Sequence, residues 1–298
     1  MPRTKPKVAI IAPGNMGAAI GRRLVANGLD VLTLLEGRGT ASRARAEQAG
    51  MAGVGLDEIT KADFLLSIVP PGEALGLART LAPHLVAQTH PMVYVDCNAV
   101  SPPTVRKIGE VMKSVAFVDA GIIGLPPSAG EKGPTIYASG DAAMRFSKLA
   151  AYGLSIKLLQ GPIGAASALK MSYAGITKGL SGLGAAMLLA ANREGAAEAL
   201  RAELQDSQPA LLARFAKALP QMFGKAYRWV AEMEEIAEFL GEDEAAATVF
   251  RGFAELYERL AADYRGRRGE IGAIEAFLSP AQRPGEVRAK VAETSKAR

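Results

Sequence analysis

One lysine, Lys170, stands near the start of an apolar, helix-forming stretch that runs from Gly161 to Asn192. A lysine there has two readings. It snorkels its ammonium to solvent, or it sits partly buried with a lowered pKa and acts as a general acid and base. At a period of 3.6 residues, Lys170, Tyr173, Ala174, Thr177 and Lys178 fall near one helix face. Tyr173 would orient a substrate or assist proton transfer there, or simply stand at an interface with its hydroxyl at a polar edge. Gly175, Gly179, Gly182 and Ala186 form a second face of small residues, against which another helix or a partner chain can approach closely.

A second set of residues is arranged for phosphate. The strand-type run Lys7 to Ile11 enters Ala12-Pro13-Gly14-Asn15-Met16-Gly17, and an amphipathic helix follows as far as Gly28. Gly14 lets the backbone approach a pyrophosphate, Gly17 lets the helix pack on the strand, and the helix N-terminus faces the negative charge. Ala12 holds the first glycine position of this A-x-G-x-x-G pattern, which keeps φ negative there. Asp30 to Leu35 is the second strand, and its end should meet the adenosine ribose. Glu36 is a partner for a ribose 2′-OH, which implies NAD, whereas Arg38, Thr40, Ser42 and Arg43 suit a 2′-phosphate. The balance leans to NADP, with NAD as the alternative.

These residues need a scaffold. Strand-type runs recur at Asp63 to Pro71, Pro91 to Thr104 and Val115 to Gly124, each followed by a turn or helix start. That alternation predicts a doubly wound parallel sheet of Rossmann type, with ligands at the carboxyl ends of its strands. Val69, Pro70, Asn98 and Ile122 to Gly124 are thereby placed near the cofactor. GPTIYASG and SIKLLQ read as two closing strands around a helix from Asp141 to Tyr152. After the long helix, 165–192, segments near 195–206, 208–219, 220–240, 243–265 and 268–278 read as helices, with Pro209, Pro220, Gly241 and Gly269 at their boundaries. The prediction is a dinucleotide-binding domain over 1–164 and an all-helical domain for substrate and dimer contacts over 165–298.

Composition narrows the class. Of 298 residues, 49% are apolar and 22% charged, and the net charge is +5. With no aromatic-interleaved basic run and no zinc or helix-turn-helix spacing, that charge points to an anionic cofactor and substrate rather than nucleic acid. Cys97 is the only cysteine, which rules out an intramolecular disulfide and fits a reducing compartment. The leader MPRTKPK is too polar for a signal peptide, and the apolar run Gly179 to Ala191 is too short to span a bilayer. A cytoplasmic location with no membrane contact is expected. No metal-ligand spacing occurs: Glu232, Glu234 and Glu235 read as a charged helix face, and His84 and His90 as part of a surface connection. Arg228 is either a contact for a substrate anion or an i,i+4 partner of Glu232.

Four motifs taken in order resemble the β-hydroxyacid dehydrogenase family, which includes 6-phosphogluconate and 3-hydroxyisobutyrate dehydrogenases. IAPGNMGAAI is similar to its GxGxMG turn, and VDCNAVSPPT to its D-x-S-T-x-S-P strand end. DAGIIGLPPSAGEKGPTIYASG is similar to its substrate segment, and GPIGAASALK to the G-x-x-G…K that carries its catalytic lysine. The resemblance implies that Lys170 is catalytic, that hydride passes between nicotinamide and a small acidic hydroxy or oxo compound, and that the chain forms a homodimer. The C-terminal half, notably AYRWVAEMEEIAEF (226–239), resembles a branch with its own helical domain. This chain departs from the pattern at Ile123-Gly124-Leu125, where the family has Ser-Gly-Gly. It departs again at Ala174, where the family has Asn, and at Asn98-Ala99, where Ser and Thr are usual. Two alternatives stay open: an imine-type C=N reductase, suggested by GNMGAAI, and a non-catalytic NADP-binding sensor or scaffold.

Overall fold

Short runs of apolar residues with no polar alternation form strands buried on both faces, as a parallel sheet requires. In a computed structural model describing residues 5–87, 91–127 and 133–279, they alternate with helices. In chain order come β1 (Val8–Ile11), α1 (Asn15–Ala26), β2 (Val31–Leu34), α2 (Thr40–Gln48), β3 (Ala52–Val54), α3 (Leu56–Ile59) and β4 (Phe64–Ser67). Then follow α4 (Pro71–Val86), β5 (Val93–Asp96), α5 (Pro102–Val111), β6 (Ala116–Ile123), β7 (Thr135–Ser139), α6 (Ala143–Phe146) and β8 (Ser155–Leu158).

The eight strands form one sheet in the order β3-β2-β1-β4-β5-β6-β7-β8. From β3 to β6 all pairs are parallel, β7 is antiparallel to β6, and β8 runs parallel to β7. Successive residues of a strand feed opposite cores. Val8, Ile10, Phe64, Leu66, Val93 and Val95 pack on one side with Leu24 and Phe146. Ala9, Ile11, Leu65 and Tyr94 pack on the other with Leu81 and Ile108. The Rossmann-type sheet expected from the sequence is present, with its two closing strands.

The helical half comprises α7 (Ala165–Arg193), α8 (Ala197–Ser207), α9 (Pro209–Phe223), α10 (Ala226–Phe239), α11 (Glu244–Arg265) and α12 (Gly269–Leu278). Several boundaries differ from the sequence reading. Pro220 lies inside α9 rather than between helices. The buried Leu219, Met222 and Phe223 hold that last turn in place although proline cannot donate to it. The expected helix over 141–152 is only α6 and a 3-10 segment, Ser147–Tyr152, ended by Gly153 at φ 86°. His84 belongs to the last turn of α4, not to a loop, while His90 and the basic tail from Arg283 lie outside the described residues.

The described residues form two compact units, one running up to 176 together with 231–251, the other 177–230 together with those from 252 to 279. Helices α7, α10 and α11 each contribute residues to both. In the first unit Gly175 takes the Phe250 ring and Ile236 against its backbone. In the second, Gly182 accepts the Phe253 ring and Gly184 that of Phe215. Here too Trp229 meets Tyr257 edge-on at 5.2 Å, the Lys178 ammonium sits 4.9 Å above the Trp229 ring, and Tyr257 Oη donates to the Lys178 carbonyl. Part of the small-residue face thus receives aromatic side chains from the same chain. Among the described residues α7, at 29 residues, is long and apolar enough by composition to cross a membrane, and half of its most apolar window is buried within the protein. The sequence expectation of a long helix over 165–192 matches α7, although its membrane argument weighed only the shorter apolar run within it.

Candidate functional site

The phosphate turn is built as its residue types require. Gly14 N–H donates to the Ala12 carbonyl at 2.8 Å, and Ala12 N–H to the Ile68 carbonyl at 3.2 Å, which ties the turn to the end of β4. A Cβ at Gly17 would lie 2.2 Å from the Ala12 oxygen, so only glycine fits. Gly14 adopts ordinary extended backbone at φ −70°, and a Cβ added there would meet nothing within 4 Å. This open space, next to the first N–H groups of α1, fits an approaching pyrophosphate. Asn15 is exposed and Met16 half-buried on the same turn.

At the end of β2, Glu36 is exposed and Arg38 half-buried. Arg43 Nε donates to the Arg38 carbonyl at 3.0 Å. Arg45, which the sequence reading passed over, donates from Nε to the Pro13 carbonyl and from Nη2 to Ser42 Oγ, each at 3.0 Å. It joins the phosphate turn to the start of α2. No glycine or periodicity pattern marks such a cross-link, since its partners lie at one main-chain atom and one hydroxyl.

Across β4 and β5, Asn98 is a strut. Its Oδ1 accepts from Val69 N–H at 2.7 Å, and its Nδ2 donates to Ser67 Oγ and Asp96 Oδ2, both at 2.9 Å. Its own N–H donates to Asp96 Oδ1 at 3.1 Å. Both amide protons are therefore used within the strand ends, and Asn98 fixes the Val69–Pro70 loop from below. Burial pushes the Asp96 carboxyl up to about 7; the hydrogen bonds from Asn98 oppose that, and the charges of Asp119 and Glu235 add to it. Cys97 is buried beside it, with its thiol pushed up by burial, and packs in the core.

Lys170 is placed by β6. Asp119, fully buried, accepts from Gly164 N–H at 2.8 Å and from Ala166 and Ser167 N–H at 3.1 Å each. Ser167 Oγ at 2.7 Å and Ser139 Oγ at 3.0 Å also donate to it. An aspartate on the sheet thus caps the start of α7, where the unpaired N–H groups and the helix dipole favour a negative charge. Two residues further along β6, a Cβ at Gly121 would lie 2.9 Å from the Ala166 oxygen and 3.1 Å from Lys170 Cβ. The helix therefore lies flush on the strand at the lysine. Lys170 is half-buried, and among the described residues its ammonium has no hydrogen bond or ion pair. Burial alone holds its pKa below the usual lysine value.

Further along β6 and at its end, Ile123 is half-buried and Gly124 has φ 131°, while Tyr173 is half-exposed one turn past Lys170 on α7. A side chain at Gly124 would press on Pro134 at 3.0 Å. Ala174 is buried. Arg228 is exposed and belongs to the second unit. The glutamates of α10 are not the uniform charged face expected. Glu235 Oε2 accepts from Ser101 N–H at 2.6 Å and Thr104 Oγ1 at 3.0 Å, at the N-terminus of α5. Glu238 accepts from Thr104 Oγ1, Ser101 Oγ and Lys107 Nζ. Partial burial pushes its carboxyl up, but the bonds from Lys107 and Thr104 win and hold it below its ordinary value. Among the described residues no group of three or more His, Cys, Asp or Glu is placed to hold a metal.

Known proteins share this architecture. The family of the NAD binding domain of 6-phosphogluconate dehydrogenase matches residues 7–151, and a domain of unknown function, DUF1932, matches residues 191–260. A solved conserved protein of unknown function, described as structurally similar to 3-hydroxyacid dehydrogenases, is 32% identical, with 87% of this chain and 98% of that one covered at a TM-score of 0.65. An uncharacterized 28.5 kDa protein of Methanothermus fervidus is 28% identical over 182 residues, 60% of this chain and 69% of that protein. The 3-hydroxyisobutyrate dehydrogenase of Mycobacterium tuberculosis, solved with L-serine, shares the fold at 18% identity, with 93% of this chain and all of that one covered at a TM-score of 0.69.

Proposed function

Since this chain belongs to the 3-hydroxyacid/6-phosphogluconate dehydrogenase-like family, in a form with an all-helical C-terminal domain, we propose that it is an NAD(P)-dependent oxidoreductase using Lys170 as general acid and base. Its substrate is a small, acidic hydroxy or oxo compound. The observation that carries this reading is the unpartnered Lys170 ammonium, half-buried against Gly121 with its pKa lowered by burial. A neutral amine in that position accepts the hydroxyl proton when an alcohol is oxidised, and an ammonium returns it when a carbonyl is reduced.

The nicotinamide cofactor supplies or takes the hydride. Ala12, Gly14, Asn15, Met16 and Gly17 are the proposed pyrophosphate cradle. Glu36 and Arg38, with Arg43 and Arg45 behind, face the ribose side, and the basic groups favour NADP over NAD. Val69 and Pro70, braced by Asn98, line the nicotinamide side. Ile123, Gly124 and Tyr173 are proposed to line the substrate site, and Arg228 to contact its anionic group. In functional terms we assign cofactor binding to 1–164 and substrate and dimer contacts to 165–298. A homodimer is supported by Ile176, Leu183 and Met187, which are exposed at helical spacing along α7. We read the location as cytoplasmic, with no membrane or nucleic-acid role.

Calorimetric titration with NADPH and NADH tests the cofactor half, and turnover of a hydroxyacid panel in wild type and Lys170→Met tests the rest. Binding of neither nucleotide would overturn the reading. A second reading, reduction of a C=N bond, is favoured by Ile123, which offers no hydroxyl to a substrate carboxylate where the family has Ser, and by Ala174, apolar where the family has Asn. Turnover of cyclic imines but not of hydroxyacids would select it. Tight NADPH binding with no turnover in either panel would point to a sensor or scaffold.

A further inference from the structure

Strand β6 and the first turns of α7 advance together. Asp119 binds the main chain at 164, 166 and 167, and Gly121 touches Ala166 and Lys170. One strand step of two residues covers about 6.6 Å and four helical residues about 6 Å, so strand and helix stay in step over this stretch. From this we propose that Asp119 and Gly121 are positioning residues that set how deeply Lys170 is seated. Asp119 fixes where the helix begins, and Gly121 fixes how close it lies.

The two act on different degrees of freedom. The Asp119 carboxylate gathers N–H groups that the first turn leaves without helical partners, one turn before the lysine. Ser139 Oγ reinforces it, donating to Asp119 while accepting from Ala166 N–H at 3.1 Å. The helix is therefore fixed along its axis and in rotation. Gly121 has ordinary strand backbone, so its contribution is space and not conformation. With any larger residue the Ala166 carbonyl and Lys170 Cβ must move away from the sheet. Among the described residues no other charge compensates for such a shift. Asp119 is committed to the helix start, Asp96 on the neighbouring strand to Asn98, and neither bonds the ammonium; Tyr173 lies one turn further along α7. Lys170 owes its lowered pKa to depth alone.

The inference rests on the proposed role of Lys170 only for its catalytic consequence, because depth is measurable without turnover. The experiment follows the pH dependence of Lys170 acetylation by acetic anhydride, read by peptide mass spectrometry in wild type, Gly121→Ala, Ser167→Ala and Asp119→Asn, with circular dichroism as the check on folding. In wild type the Lys170 midpoint should lie below those of the exposed lysines in the same sample. In Gly121→Ala and Asp119→Asn it should move up towards them, and kcat should fall about tenfold or more with little change in KM. Ser167→Ala removes one bond to Asp119 and should shift the midpoint less. If Asp119→Asn does not fold, Gly121→Ala and Ser167→Ala carry the test. An unchanged midpoint in the folded variants overturns the inference. A shifted midpoint with unaltered turnover supports the positioning role and overturns instead the reading of Lys170 as the catalytic acid and base.

Discussion

Asp96 and Asp119 are register partners on β5 and β6, both are buried, and their carboxylates have opposite surroundings. Asp119 collects main-chain and hydroxyl donors from α7 and β7, whereas among the described residues Asp96 accepts only from Asn98. Burial, with the neighbouring charges of Asp119 and Glu235, brings Asp96 to about 7 from an ordinary 3.8. Between those values the folded chain holds a proton that the unfolded chain has released. Stability should therefore fall as pH rises through that window, by up to about 1.4 kcal/mol per pH unit. Urea unfolding from pH 5 to 8 measures the slope, and Asp96→Asn should flatten it. A wild-type slope of zero would refute this account of the pair.

Lys170 gives the opposite sign. Its folded pKa lies below the ordinary 10.5, so the oxidation rate should rise as pH passes up through the lowered value, and reduction should decline over the same range. Lys170→Met should lower kcat by about 10²–10⁴ and remove that limb of the profile. NADPH affinity should stay within a factor of about two, since the phosphate turn and the β2 end are untouched. Steady-state rates across pH, set beside calorimetry on the variant, check both statements.

The two glycines of the phosphate turn should fail in different ways. Gly17→Ala places a methyl against the Ala12 oxygen and should cost about 1–3 kcal/mol of stability. Gly14→Ala meets open space and a permitted backbone, so the fold should hold within about 0.5 kcal/mol. Its methyl occupies the space proposed for the pyrophosphate, and NADPH should bind at least about tenfold more weakly. Equal NADPH affinity in Gly14→Ala and wild type would remove the pyrophosphate from that place.

The contacts between α10 and α5 should rank by burial. Glu235→Ala strips an anion from the Ser101 N–H and the Thr104 hydroxyl and should cost about 1–2 kcal/mol. Lys107→Ala breaks an ion pair whose side chains are 60% and 41% exposed, and should cost less than about 1 kcal/mol. Chemical denaturation of the two variants side by side decides the order.

The local features were open to a sequence reading because each depends on neighbours in the chain. The A-x-G-x-x-G turn, the apolar strand runs and the lysine on its helix are of this kind. What could not be read depends on partners brought together by the sheet. Asp119 looks like any strand aspartate until β6 lies beneath the start of α7. Arg45 looks like a surface residue until Pro13 is above it, and Glu235 like part of a charged face until α5 meets α10. Pro220 misled for a related reason, since the packing that sustains α9 past a proline comes from distant side chains. The exact seating of Lys170 rests on Gly121, whose informative property is a missing atom.

The interleaving of the two units has a consequence for how such proteins can be recombined. Residues 231–251 belong with the sheet although the chain reaches them only after passing through the other unit. Glu235 and Glu238, which hold α5, travel with that segment. A chimera spliced once, at the end of the sheet, inherits an α5 whose acidic partners come from the foreign parent. Exchange of one unit between relatives therefore calls for crossovers inside α7, α10 and α11 together.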